Sequence, residues 1–166
     1  MSLLVRKLAK SKWPKENFET VDIKDLRADA ITSCLRTSND TLSTWEIASP
    51  DNLSDAILAL VSSFEKIDKI DVVMIEREEV VNRGFEIADT LGNTPVEQLK
   101  NTHKDITGLT YQTVGDFSRL LLDTMMEGRV ERYTATKVKR LLKEAIEQGK
   151  LDLNSLKEGV RESLVS

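Results

Sequence analysis

The chain has 166 residues, of which 40% are apolar, and a formal net charge of −4. This size and composition fit one ordinary domain, or two small lobes that share a core, and they exclude a largely disordered chain. The single cysteine, Cys34, excludes an intrachain disulfide and a cysteine-based zinc site. No segment approaches the roughly 18 apolar residues of a membrane span, so we expect a cytoplasmic protein.

The first half of the chain alternates between strand and helix patterns. Residues 3–9 predict a strand that ends before Pro14, and the apolar spacing of residues 25–36 predicts a helix. The alternation of residues 41–48 then indicates a second strand, with Trp45 on its apolar face.

A helix between two strands sets the expected topology. The apolar stripe of residues 49–67 predicts a helix, and residues 70–76 predict a strand that is covered on both faces. A crossover of this length favours two parallel strands, and a short further strand is predicted at residues 85–88. Residues 1–92 should therefore form a small sheet of about three to four strands with packed helices.

Residues 93–166 have a different pattern, which predicts helices alone. Thr94, Pro95 and Glu97 form a strong helix-start signal, with a hydroxyl cap and a capping-box glutamate. Further helices are predicted at residues 111–127, 134–150 and 152–164. The fold class is then α+β, a mixed α/β domain in which a C-terminal helical bundle shares one core with the sheet.

The single histidine, His103, falls within the first of these predicted helices. Val96, Leu99, His103 and Ile106 have offsets of 0, 3, 7 and 10, which places His103 on the apolar face of a helix. We interpret it as a core imidazole that is hydrogen-bonded through one nitrogen. A general base or a metal ligand is the alternative, but no second ligand at helical spacing and no cofactor-binding motif is present. We predict no metal and no cofactor.

Residues 129–150 carry seven basic side chains and three acidic ones. This excess makes nucleic-acid binding an alternative function, although the rest of the chain is acidic. The candidate contacts are Arg132, Lys137, Lys139, Arg140 and Lys143.

A second alternative is enzymatic. Arg6, the segment "LSTW" with Ser43, and the segment "EREE" with Glu76 and Glu78 follow one another along the chain. In this order they resemble the motifs of the mono-ADP-ribosyltransferases, namely an early-strand arginine, a Ser-Thr-Ser strand and a Glu-x-Glu pair. The resemblance implies that Glu78 would engage the nicotinamide ribose of NAD. Trp45 stands where the family has its second serine, and we assign no family.

We favour a non-enzymatic function, in which the protein is an interaction or accessory module for another protein. No convergent catalytic set is evident, the body of the chain is acidic, and the C-terminal helices offer surplus apolar surface. If that surface stays open around Leu122, Met126 and Val160, a second copy would cover it, so we also predict a homodimer.

Overall fold

The structure is a computed structural model, which describes residues 2–13 and 22–165. Pro14, expected to end the first strand, lies outside these residues. The described chain contains one six-stranded sheet in the order β4-β5-β2-β1-β3-β6, and every neighbouring pair is antiparallel. Its strands are β1 (Leu3–Leu8), β2 (Leu42–Ile47), β3 (Ile70–Glu76), β4 (Glu86–Asp89), β5 (His103–Thr107) and β6 (Val130–Tyr133).

Helices cover both faces of this sheet. The α-helices of the described residues are α1 (Ala28–Cys34), α2 (Leu53–Val61), α3 (Arg77–Asn82), α4 (Val114–Met126), α5 (Ala135–Glu147) and α6 (Glu158–Val165). Short 3₁₀ helices occupy Lys10–Lys12, Ile23–Asp25, Pro50–Asn52, Glu97–Thr102 and Leu153–Ser155. The predicted α+β class is confirmed. No helix among the described residues is long and apolar enough to cross a bilayer.

The predicted count of three to four strands is wrong, because two more strands come from the half expected to be helical. β5 contains Lys104, a charged residue in a buried position that breaks the apolar alternation of a strand. β6 has the sequence VERY, pairs with β3 on one side only, and has no buried residue. Neither segment carries the apolar pattern on which strand prediction depends.

The crossover from β2 through α2 to β3 differs from the expected one in a single respect. β2 and β3 run in the same direction, but they are not neighbours, because β1 lies between them and is antiparallel to both. Leu3, Leu4 and Val5 of β1 are all buried, so this strand is apolar on both faces and suits the centre of the sheet.

Two separate cores result, one on each face of the sheet. The α2 face, which also carries α5 and α6, buries Val5, Trp45, Val72, Ile57, Leu142 and Val160. The α4 face, which also carries α1, buries Leu4, Val73, Ile106, Cys34, Phe117 and Leu121.

The C-terminal helices therefore form no bundle, and that part of the prediction is wrong. The sheet separates α4 from α5 and α6, so that Leu122 and Val160, expected to form one open surface, are each fully buried on opposite faces. Met125 is buried as well, and only Met126 keeps 41% of its surface exposed. The homodimer stays a prediction, and the apolar surface from which we argued it is reduced to Met126.

Gly92 occupies a tight position against the α2 face. An added Cβ would lie 2.2 Å from Cη2 of Trp45 and 2.9 Å from Cβ of His103. The Trp45 ring is buried, so it has no free space into which to move.

We expect Gly92→Ala to lower the free energy of unfolding by about 1 to 3 kcal/mol, because the methyl group overpacks the Trp45 ring. Gly115→Ala is the matched control, since a Cβ there meets nothing within 4 Å and the residue lies in α4. That change should be neutral or stabilise by up to about 1 kcal/mol. Urea unfolding of both variants measures the difference, and equal midpoints would contradict the packing argument.

Candidate functional site

His103 is the first residue of β5, so the prediction that it lies in an α-helix is wrong. Residues Glu97–Thr102 form a 3₁₀ helix, which ends where β5 begins. The Thr94 hydroxyl is buried at 3.0 Å from the Ser62 hydroxyl, and it accepts from the N–H of Val96. The helix-start signal at Thr94 therefore anchors a loop instead of capping an α-helix.

The His103 ring is half-buried on the α2 face. Nδ1 lies 2.7 Å from the Thr90 hydroxyl, and the ring stands edge-on to Trp45, with centroids 5.0 Å apart and an angle of 76° between the planes. Burial lowers the pKa of the imidazole, against the opposing effect of the Asp105 carboxylate, and Lys104 lowers it further. The lowered pKa favours the neutral form of the ring.

The groups around His103 form no evident catalytic set. The imidazole is hydrogen-bonded to the Thr90 hydroxyl. The Asp105 carboxylate instead accepts a hydrogen bond from the Ser43 hydroxyl, at 3.1 Å. No group of three or more His, Cys, Asp or Glu within the described residues could hold a metal ion. The single hydrogen bond through Nδ1 agrees with a structural role, which stays a prediction.

Arg6 and Ser43, which the enzymatic alternative places in one cleft, are in contact through the main chain of Ser43. Arg6 donates from Nη1 to the Ser43 carbonyl at 2.7 Å, and from Nε and Nη2 to the Cys34 carbonyl at 3.0 and 2.8 Å. Cys34 ends α1, so the guanidinium binds the negative end of that helix. Burial lowers the pKa of Arg6 to about 10, against the opposing effect of Cys34, and no carboxylate within residues 2–13 and 22–165 pairs with it. Arg6 thus holds α1 against the sheet.

Glu76 and Glu78 lie apart from that pair. Arg6 is opposite Val73 in the β1–β3 register, whereas Glu76 is opposite Leu3, three positions away and on the other face of the sheet. Glu76 approaches Arg129, with 3.2 Å between Oε1 and Nη1, and Glu78 is exposed in α3. The described structure therefore gathers Arg6 with Ser43 but not with the two glutamates.

The predicted nucleic-acid contacts lie on β6 and α5. Arg132 is held by Asp71 through two bonds, Nε to Oδ1 at 2.7 Å and Nη2 to Oδ2 at 2.9 Å. The other four residues project from the outer sides of α5, and we call them the basic face: Lys137, Lys139, Arg140 and Lys143.

The basic face makes one ion pair with the described residues. Arg140 approaches Glu144 at 3.6 Å, and Lys137 lies 5.7 Å from the centroid of the Tyr133 ring. Lys139 and Lys143 make no ion pair with any described residue. Four carboxylates lie nearby without forming further ion pairs within the described chain: Asp51 and Glu131 beside Lys137 and Arg140, and Glu144 and Glu147 beside Lys139 and Lys143.

The basic face has two flanks. Lys137 and Arg140 line a shallow cavity of about 350 Å³ together with Leu53 at the start of α2. Helical spacing puts Lys139 and Lys143 on the flank away from α2. Glu131 and Tyr133 of β6 also line the cavity that holds Lys137 and Arg140.

Sequence reasoning missed two charge clusters. Lys104 is buried, and its Nζ lies 2.7 Å from Asp89 and 3.7 Å from Glu46. The guanidinium of Arg129 contacts carboxylates of Glu76, Glu79 and Glu127. Apart from Glu127, which is two residues from Arg129, the partners are far apart along the chain, so only the folded structure brings them together.

Comparisons with known proteins identify no relative of this chain. No family model, no curated protein and no solved structure matches it.

We predict that His103 makes stability depend on pH. Because its pKa is lowered in the folded state, the unfolded chain binds a proton first as the pH falls through about 6.5. The contribution is fully present above that pH and is lost as the pH falls toward the folded-state pKa. Thermal melting across this interval should show a decline that His103→Gln removes. A ring pKa at or above the ordinary value in an NMR titration would refute the prediction.

Arg6 should be important for stability. We expect Arg6→Met to lower the free energy of unfolding by about 2 to 4 kcal/mol, because the carbonyls of Cys34 and Ser43 lose charged donors. Arg36→Met is the control, since Arg36 is exposed, and it should change the value by less than about 0.5 kcal/mol. Denaturant unfolding of both variants measures the two changes in the free energy of unfolding. Changes of equal size would show that the Arg6 contacts contribute little to stability.

Proposed function

We propose that this protein is a protein-binding module whose basic face on α5 docks an acidic segment of a partner protein. The observation that carries the proposal is the placement of Lys137, Lys139, Arg140 and Lys143 on one helix, where only Arg140 makes an ion pair with a described residue. Complementary charge speeds association and selects partners, so a segment with several carboxylates is the natural occupant. We place this role in the cytoplasm.

The charged residues of α5 are arranged against the helix dipole, and this arrangement supports a binding role. A helix is stabilised by acidic residues near its N-terminus and by basic residues near its C-terminus. The first turn of α5 has no acidic residue and contains Lys137, whereas Glu144 and Glu147 lie at its other end. Such a conflict is typical of a surface kept for function.

Lys137 shows this conflict most clearly. Thr134 caps α5, and its side chain accepts from the N–H of Lys137, the third residue of the helix. That is the capping-box position, where glutamate or glutamine would reach back to the cap and add stability. Lysine forgoes that contact and adds a positive charge at the positive end of the helix.

A protein partner is favoured over nucleic acid by what surrounds the basic face. The chain has a net charge of −4, which repels every anion but repels a long polyanion more strongly than a short segment with a few carboxylates. The aromatic ring next to the face, that of Tyr133, is half-buried and offers no open stacking platform for bases. Nucleic-acid binding through Arg132 and the basic face remains the alternative, because phosphates attract the same cations.

Lys137→Glu tests the proposal through two opposite effects. It should raise the free energy of unfolding by about 0.5 to 1.5 kcal/mol, because it completes the capping box and suits the helix dipole. It should also weaken binding of a short peptide of alternating glutamate and valine, measured by fluorescence anisotropy. Lys66→Glu is the matched control: it changes the net charge equally at an exposed residue outside any helix, and it should do neither.

A single-stranded oligonucleotide of the same length is the second probe. We expect it to bind less tightly than the acidic peptide at about physiological salt. Tighter binding of the oligonucleotide, with a steep loss as salt rises, would favour the nucleic-acid alternative. Equal peptide affinity in the wild type, Lys137→Glu and Lys66→Glu would remove the proposed function.

A further inference from the structure

We infer that the cavity beside Lys137 and Arg140 binds a small zwitterion, namely a free α-amino acid with an apolar side chain. This cavity of about 350 Å³ is lined by residues from the starts of α2 and α5 and from β3 and β6. Its volume is at the lower end of the range for small-molecule sites, which is about 300 to 1,000 Å³. The inference goes beyond the proposed function, because it needs no partner protein.

Charges of both signs line the cavity, and they come from different elements. Lys137 and Arg140 belong to α5, whereas Asp51 lies in the 3₁₀ helix before α2 and Glu131 lies in β6. The formal charges of the lining therefore balance. A purely anionic ligand would be repelled by the carboxylates, and a purely cationic ligand would be repelled by the basic side chains. A ligand that carries both charges is the one that this lining matches.

The four charged side chains do not neutralise one another. Within the described chain, Asp51, Glu131 and Lys137 make no ion pair, and Arg140 approaches only Glu144, at 3.6 Å, one turn further along α5. Opposite charges that line one cavity without contact leave space between them. An ammonium group can pair there with a carboxylate of the protein, while a carboxylate of the same ligand pairs with a basic side chain.

Two uncharged polar residues, Ser54 and Tyr133, complete the polar part of the lining. Neither side-chain hydroxyl is hydrogen-bonded to another described residue. Burial raises the pKa of Tyr133, Glu131 raises it further, and Arg140 opposes the rise, so charges of both signs act on this ring. A hydroxyl can donate to the carboxylate of a ligand or accept from its ammonium group, so these residues suit either end of a zwitterion.

The apolar part of the lining lies deeper than the charges. Leu53 and Met74 are buried, with 7% and 8% of their surfaces exposed, whereas Asp51 and Glu131 are exposed. An α-amino acid has both charges at one end and its side chain at the other. Its charged end would stay among the charged residues, and an apolar side chain would pack against Leu53 and Met74, of which methionine adapts readily to a ligand.

Three ligands that share one apolar group separate the contributions of the two charges. Leucine carries both charges, 4-methylpentanoate lacks the ammonium group, and 3-methylbutylamine lacks the carboxylate. Chemical-shift changes of backbone amides in NMR spectra of the full chain measure weak binding and locate the ligand. We expect leucine to shift the amides of Ser54 and Tyr133, and to bind about tenfold more tightly than either of the other two.

Glu131→Gln tests the pairing of the ammonium group with the protein. This change should weaken the binding of leucine about tenfold and strengthen that of 4-methylpentanoate, because it removes a carboxylate that repels an anion. A folding defect would not produce these two opposite effects. Glu147→Gln is the matched control, since it removes a carboxylate from an exposed position at the other end of α5, and it should leave both affinities unchanged.

Arg140→Gln tests the pairing of the carboxylate. This change should weaken the binding of leucine about tenfold and strengthen that of 3-methylbutylamine, while Lys66→Gln, at an exposed residue outside any helix, should change neither.

Three outcomes would overturn the inference. Leucine at millimolar concentrations leaves the amides of Ser54 and Tyr133 unshifted, or 4-methylpentanoate binds as tightly as leucine, or Glu131→Gln changes the affinities for both ligands in the same direction. None of these measurements uses the acidic peptide, so the proposed function is tested separately by Lys137→Glu.

Discussion

The architecture depends on one constraint: β1 lies at the centre of the sheet and is covered on both faces. Leu4 faces one core and Val5 the other, and each is fully buried, so helices must pack on both sides of the strand. Of the two charged side chains of β1, Lys7 is exposed, whereas Arg6 is half-buried and is accommodated because carbonyls of α1 and β2 accept its hydrogen bonds. Charged donors that meet carbonyl acceptors allow a guanidinium to be buried without a carboxylate beside it. The same contacts position α1, and with it the core on the α4 face.

Basic side chains at the two ends of the sheet differ in their ion pairs. Near β4, Lys104 is withdrawn from solvent and neutralised by Asp89 and Glu46. Near β6, Asp71 neutralises Arg132, but the lysines of α5 have no comparable partners among the described residues. The two ends of the sheet thus differ in how many of their basic side chains form ion pairs with described residues.

Particular residues show how far sequence reasoning could reach. α2 and β3 follow from apolar periodicity, because Leu53, Ile57 and Val61 of the predicted stripe are buried and β3 is covered on both faces. The helix is shorter than predicted, since it ends at Val61 and not at residue 67. β5 does not, because the spacing that places His103 and Ile106 on one helix face places them on opposite faces of a strand. β6 has too little apolar content to be recognised before its partner strand is known. The contact of Arg6 with Ser43 was predictable in part, while its bond to Cys34 requires the position of α1.

The position of β1 between β2 and β3 also has a kinetic consequence. Leu3 is paired with Ile47 on one side and with Glu76 on the other, so the earliest strand of the chain completes its hydrogen bonds only with segments far along the sequence. The chain loses conformational entropy when such distant segments come together, before their contacts stabilise it. Proteins rich in contacts of this kind therefore fold slowly. During synthesis, β1 would leave the ribosome well before β3 exists. The nascent chain must then keep an apolar strand with one open edge from associating with other chains, which makes early folding the stage at which this protein is most exposed to aggregation.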